Sequence, residues 1–401
     1  MKAPHRVTEP TFRTARPVLV GLGMMLVAFN MRPALTSVGP LLDAIRAETG
    51  LTAAGAALLT TLPVLCLGLA CVLGPVMVRR TGAERGVLVA ILVIALGSAL
   101  RGLGGLPLLF AGACLAAVGI GLAGVLLPGL VKRDFSGQAG LMTGLYTMVL
   151  CLGAATGAGS AVPLADAFGG WTRAMAVWAV PAVAAALAWI AFVPHREKGP
   201  PPARRRPLWR DSLAWQVTGF MGLQSSLAYI TFGWLPVLLQ SRGLSAVEAG
   251  FVTSIMSIGQ APSALLVPAF AARLRDQRSI AIALLALSAA SFLALVDGPV
   301  AFVLPFGIGL GLGIGGLFGL ALTIVVLRAR DVVGAADLSA MSQAVGYSIA
   351  ALGPLGFGLA HDLFGGWRVS AGLFCVIAVA SGIFALGAGR DRKVGVPSAA
   401  L

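Results

Sequence analysis

Arg32 is the residue whose type and position most demand an explanation. It stands about fifteen residues into an apolar run that begins near residue 17. If that run is a helix, Arg32 sits roughly 22 Å along it at about 1.5 Å per residue. An arginine at such depth in hydrocarbon costs about 2.5–3.5 kcal/mol or more, so something must meet its charge. Asp43, Glu48, Asp166, Glu248, Asp297 and Asp362 all fall near one set of segment ends, and the remaining acids fall in loops at the other. With no acid at matching depth, the expected partner is a bound solute, and a planar five-donor fork suits a small anion or a carboxylate. Polar side chains inside the other apolar runs must be hydrogen-bonded to another helix or to a solute. Asn30, Tyr146, Gln224, Tyr229, Gln343 and Tyr347 are the candidates for contact with that solute. Pro33 removes the backbone bond to Phe29, and the resulting kink brings Asn30 onto either the backbone or the solute. Arg101 and Trp234 lie near segment ends and have two readings each. Arg101 either snorkels to the interface or acts as an outer vestibule charge that gathers anions. Trp234 is either an interfacial anchor or part of a gate.

Other chemistries lack their residues. Cys66, Cys71, Cys114, Cys151 and Cys375 have no CxxC spacing and no nearby histidine, so buried free thiols are expected and no metal. No GxxxxGK[ST] loop is present to cradle a nucleotide. The chain is therefore not expected to be an enzyme or to carry a cofactor. Coupling through a buried carboxylate is not expected either, and a proton would have to travel with the solute or with water.

The elements that position these residues follow from composition. Of 401 residues, 58% are hydrophobic and 11% charged, less than half the usual charged fraction of a soluble chain. A helix crossing a bilayer needs about 20 mostly apolar residues. Twelve segments qualify: 17–42, 52–78, 86–105, 108–131, 137–163, 172–193, 212–240, 247–272, 279–297, 300–327, 335–360 and 368–389. The expected fold is an all-α polytopic membrane protein. The net charge of +14 reads as topology, not as nucleic-acid binding. Of 29 Lys and Arg, 23 fall in the even-numbered loops and the two tails, which places both termini in the cytoplasm of a multi-pass inner-membrane protein. The N-terminal basic stretch and apolar run read as an uncleaved first helix.

The chain also repeats itself. At a shift of 193, Gly50-Leu51-Thr52 falls on Gly243-Leu244-Ser245, and Pro75, Arg80 and Arg85 fall on Pro268, Arg273 and Arg278. At a shift of 196, Asp166 to Trp171 falls on Asp362 to Trp367. The division is then a tail at 1–16, a six-helix bundle at 17–193, a Pro- and Arg-rich cytoplasmic linker at 194–211, a second bundle at 212–389 and a tail at 390–401. Arg79, Arg80 and Arg85, with Arg273 and Arg278, should face the cytoplasm at matching places and gate that side by pairing across the halves. Two parallel six-helix units related by an axis along the membrane normal are a transporter layout.

At this point the sequence resembles the major facilitator superfamily. Within it, the chain is similar to the cyanate and 2-nitroimidazole transporter branch. The residues that carry this are NMRPALTSVGP at 30–40, LLPGLVKRDF at 126–135, GLMTGLY at 140–146, and GLQS at 222–225 with Trp234-Leu235-Pro236. The resemblance implies twelve helices in two pseudo-symmetric bundles, alternating access, a monomer, and a small anionic or polar solute such as cyanate. Efflux of nitroimidazole-type drugs is the second reading, and a non-transporting receptor or scaffold the third. Two positions depart from the pattern. The segment Gly74 to Gly82 lacks the usual Asp, although Glu84 and Arg85 follow. Gly124 stands where the branch often has Asn.

Overall fold

The computed structural model describes residues 12–192 and 208–395. Most of the expected linker, and the ends of both tails, lie outside the described residues. The first span is broken into α1 (Phe12–Asn30), α2 (Pro33–Thr36) and α3 (Val38–Thr49). The second is α4 (Ala53–Cys71) and α5 (Leu73–Thr81), bent by 45° where they meet. Single helices α6 (Ala83–Leu100), α7 (Leu106–Asp134) and α8 (Ala139–Phe168) follow, and α9 (Trp171–Val177) with α10 (Ala179–Phe192) form the sixth span. The later spans are α11 (Ser212–Ser241), α12 (Ala246–Ala271), α13 (Arg278–Asp297), α14 (Val303–Arg328), α15 (Val332–Phe364) and α16 (Trp367–Ala388). Among the described residues eleven helices are long and apolar enough to cross a bilayer, and the bent pair makes twelve. The protein is an all-α, multi-pass membrane protein.

The two halves use the same pairings. In the first, α4 packs on α7, α7 on α6, α6 on α10, α10 on α1 and α1 on α8. In the second, α12 packs on α14, α14 on α13, α13 on α16, α16 on α11 and α11 on α15. Sequence explains how tightly they pack. A Cβ at Gly121 would collide with the Leu67 carbonyl, and one at Gly315 with the Gln260 carbonyl. In lipid, where apolar surface gives no net drive for association, such close backbone approach supplies the contact energy.

The repeat is visible in the turns as well. Gly169 and Gly365 end α8 and α15 with φ of 71° and 68°, a left-handed conformation that glycine adopts without strain. Each turn delivers a tryptophan to the start of the next helix. The Trp171 indole donates to Glu48 Oε2 at 2.8 Å, and Trp367 donates to Ser241 Oγ at 2.7 Å. Thr52 and Ser245 are both N-caps, accepting from Gly55 N at 3.1 Å and from Glu248 N at 3.2 Å. A cap of this kind is worth about 1 kcal/mol.

Contact between the halves lies at the membrane middle and toward the face that carries most of the arginines, here the basic face. Gly140 and Gly144 of α8 press on the Pro268 and Leu265 carbonyls of α12. Gly129 of α7 faces the Val332 carbonyl, and Arg79 pairs with Asp337 across the halves at 3.3 Å. Toward the opposite face α3 packs on α2, α4, α8 and α9, all of its own half. The molecule is closed at its basic face.

Candidate functional site

Arg32 owes its position to the break in the first span. Pro33 has no N–H, so α1 stops at Asn30 and α2 restarts with Pro33 in its first turn. The new turn is fastened by Leu35 N and Thr36 N donating to the Arg32 carbonyl at 2.9 and 3.0 Å. The Arg32 side chain is half-buried. Its guanidinium lies 5.5 Å from the centre of the Phe318 ring on α14, a cation–π contact across the halves. Among the described residues it has no ion pair and no side-chain hydrogen bond.

Around Arg32 the two halves meet. Tyr229 and Tyr347 pack edge to face with ring centres 6.4 Å apart. The Tyr347 hydroxyl points to Gln343 Oε1 at 3.5 Å, at the outer limit of a hydrogen bond. Gln343 reaches over to the other half, where Nε2 donates to the Gly124 carbonyl at 3.0 Å and to Ser339 Oγ at 2.6 Å. Gly124 permits this approach, because a Cβ there would stand 3.0 Å from Gln343 Oε1. The departure from Asn at this position thus makes room for a glutamine from the facing helix. Tyr146 is 2% exposed and its hydroxyl has no partner among the described residues.

Other expected site residues are held elsewhere. Asn30 is buried, and its Nδ2 donates to the Leu26 carbonyl at 2.9 Å and the Pro181 carbonyl at 3.2 Å. It ties the first span to the sixth and has no donor left for a solute. Gln224 turns its amide nitrogen onto its own helix, to the Met221 carbonyl at 3.1 Å and Ser225 Oγ at 2.8 Å. Arg101 neither snorkels nor faces a vestibule. It is 0% exposed, with Nη1 donating to the Ala34 carbonyl at 2.7 Å. It lies behind the break that positions Arg32. Trp234 donates to the Pro354 carbonyl at 3.0 Å and packs on Phe357, His361 and Trp367. These contacts all lie inside the second half, so it closes nothing between the halves in this state.

At the basic face, Arg80, Arg85 and Arg273 are exposed and have no ion pair among the described residues. Arg278 pairs with Asp276 beside it, not across the halves, and their hydrogen bond holds the Asp276 carboxyl below its ordinary range. Arg79 is the arginine of this group that crosses. Sequence reading missed two inner clusters. Arg133 joins Glu84 at 2.5 Å and Asp134 at 2.6 Å. Arg328, buried, joins Gln277 and donates to the Ala388 and Gly389 carbonyls at 2.9 Å. The repeat could have revealed them: Arg133 falls on Arg328 at a shift of 195, and Glu84 on Gln277 at 193. Among the described residues no cluster of three or more His, Cys, Asp or Glu could hold a metal.

A twelve-span α-fold in two matched halves, with a polar site where they meet, defines a membrane transporter that works by moving one half against the other. The Major Facilitator Superfamily profile matches residues 20–354, and the chain belongs to that family. It carries out secondary transport of a small solute by alternating access. It is 37% identical over 376 residues to the uncharacterized transporter YycB of Bacillus subtilis, covering 93% of this chain and 94% of that one. It is also 37% identical to the 2-nitroimidazole transporter of Escherichia coli, covering 94% and 97%. Identity to the E. coli cyanate transport protein CynX is 31%, covering 86% and 91%. Among solved structures, the proton:xylose symporter XylE aligns with a TM-score of 0.76 at 12% identity, covering 94% of this chain and 95% of that one. FucP in the outward conformation aligns with a TM-score of 0.75 at 12% identity, covering 92% and 98%.

Proposed function

We propose that this transporter carries a small anion, of which cyanate is one example, and that Arg32 is its recognition residue. The observation that carries the reading is a half-buried guanidinium at the meeting of the halves with no carboxylate on it among the described residues. A half-buried charge inside a membrane protein attracts an anion more strongly than it would in water. The 31% identity to a cyanate transport protein supports the same reading. The basic face is cytoplasmic by the distribution of Lys and Arg, which makes the present state outward-facing. Halves 17–193 and 212–389 rock about the site, and the protein acts as a monomer.

Initial-rate uptake of labelled cyanate into proteoliposomes tests this. Arg32→Lys keeps the charge but loses the fork and should lower uptake at least tenfold, and Arg32→Gln should abolish it. Both should purify as monodisperse protein, since removing the charge relieves an insertion cost of about 2.5–3.5 kcal/mol. A monodisperse Arg32→Gln protein with unchanged uptake would overturn the proposal. A second reading, export of nitroimidazole-type drugs, is favoured by the aromatic walls and by the 37% identity to a 2-nitroimidazole transporter. Efflux of 2-nitroimidazole that survives Arg32→Gln would select it.

A further inference from the structure

The chain has three tyrosines in 401 residues. They come from α8, α11 and α15, and the last two meet: Tyr229 and Tyr347 pack edge to face, and the Tyr347 hydroxyl lies at Gln343, which reaches Gly124 beside the Met31 side chain next to Arg32. Their hydroxyls are nearly unused. Tyr146 has no partner among the described residues, nor has Tyr229, and Tyr347 reaches only Gln343 at 3.5 Å. Beside them the Arg32 donors are unused as well. The site therefore offers one fixed cation and the phenol donors of Tyr229 and Tyr347. Its walls are aromatic: Phe318 against Arg32, and the faces and edges of two tyrosines.

A linear triatomic anion would engage the guanidinium and leave the ring walls without a partner. A saturated carboxylate would engage fork and hydroxyls but not the ring faces. An anion that presents two coplanar oxygens on a flat π-system satisfies all three features. Aromatic pairs add stabilisation beyond the area they bury, and the guanidinium meets a carboxylate in two parallel bonds. We propose that the substrate class of this site is the aromatic carboxylate monoanion, with Arg32 and the tyrosine hydroxyls on the carboxylate and Phe318, Tyr229 and Tyr347 on the ring. This rests on the reading of Arg32 as an anion-recognition residue.

Isothermal titration of the purified full chain at pH 7.5 with benzoate, cyclohexanecarboxylate and cyanate tests it. Benzoate and cyclohexanecarboxylate share charge and approximate size but differ in flatness. Benzoate should bind at least about fivefold tighter than cyclohexanecarboxylate, as expected for one or two ring contacts, and tighter than cyanate. Phe318→Leu, which keeps an apolar side chain of similar bulk, should bring the two carboxylates to within twofold of each other. Arg32→Gln should remove the binding of all three. Equal affinity of the wild-type chain for both carboxylates, tighter binding of cyanate than of benzoate, or no binding of benzoate would overturn the substrate class. In the first two cases loss of binding in Arg32→Gln would leave the anion reading standing. Unchanged benzoate affinity in Arg32→Gln would overturn both.

Discussion

Arg32, in the break between α1 and α2, and Arg101, just past the end of α6, carry the same group in different surroundings. Arg32 has a ring on one side and no acid; Arg101 is sealed in with its Nη1 on the Ala34 carbonyl, two residues past the break. We propose that Arg101 positions the turn that holds Arg32. Arg101→Met forfeits a charge-assisted hydrogen bond of roughly 1.5–3 kcal/mol and relieves an insertion cost of about 2.5–3.5 kcal/mol. The two nearly cancel, so the melting temperature should stay within a few degrees of wild type. With the Ala34 carbonyl released, the turn loosens and KM for the transported solute should rise several-fold. Thermal unfolding and initial-rate uptake on the same preparation check this; a collapse in stability would show that Arg101 serves the fold alone. Burial could not be seen in the sequence here. Arg101 stands at a segment end, where an arginine ordinarily reaches water, and only the packing of Ala34, Ser98 and Gly112 around it closes that route.

At the scale of elements, the contact between α7 and α15 is one of the joints between the halves that alternating access must open. It is made by Gln343 on the Gly124 carbonyl and by Ser339 Oγ on the same carbonyl at 3.4 Å. A methyl group at Gly124 would stand 3.0 Å from Gln343 Oε1, closer than nearly all such contacts, so the glutamine must shift. Losing a hydrogen bond of about 0.5–1.5 kcal/mol shifts a two-state equilibrium roughly two- to tenfold. Gly124→Ala should therefore populate the form open at the basic face. Spin labels at 85 and 273, in a chain without its native cysteines, should show a longer-distance population growing by that factor. An unchanged distance distribution would mean that other contacts alone keep the halves together. The helices themselves were legible as apolar runs between Gly and Pro breaks. The partner of Gln343 was not, because Gly124 contributes a backbone carbonyl, which no residue type announces.

At the scale of the molecule, the arginines of the basic face act mainly as topology. Arg79–Asp337 crosses the halves, but its arginine is 47% exposed, and such pairs contribute about 0–1 kcal/mol under salt screening. The packing of α8 on α12 and of α7 on α15 holds the closed face with little help from charge. Position 85 is exposed whereas Ala83 is buried, so 85 is the position to probe for sidedness. In the cysteine-free background, Arg85→Cys should react with a membrane-impermeant maleimide only after the inner membrane is opened. Labelling in intact cells would reverse the orientation and with it the outward-facing assignment.

The order of the residues by itself determined the membrane class, the span boundaries to within a few residues, and the internal repeat, because lipid demands long apolar helices and two matched halves carry matching turns. Gly50 and Gly243, and Trp171 and Trp367, could be paired from the letters alone, and the structure gives each pair the same job. Arg32 could be singled out too, since a charge at that depth contradicts its surroundings. The tertiary structure alone decided who meets whom. Phe318 lies nearly three hundred residues from Arg32 and meets it across the two halves. Asn30 and Gln224 looked equally eligible, yet their amide nitrogens are engaged within the protein, that of Asn30 on the Leu26 and Pro181 carbonyls and that of Gln224 on the Met221 carbonyl and Ser225 Oγ. A polar residue in an apolar helix must find a partner, and whether that partner is a carbonyl or a solute depends on helix rotation and approach, which the periodicity of a helix apolar on every side does not record.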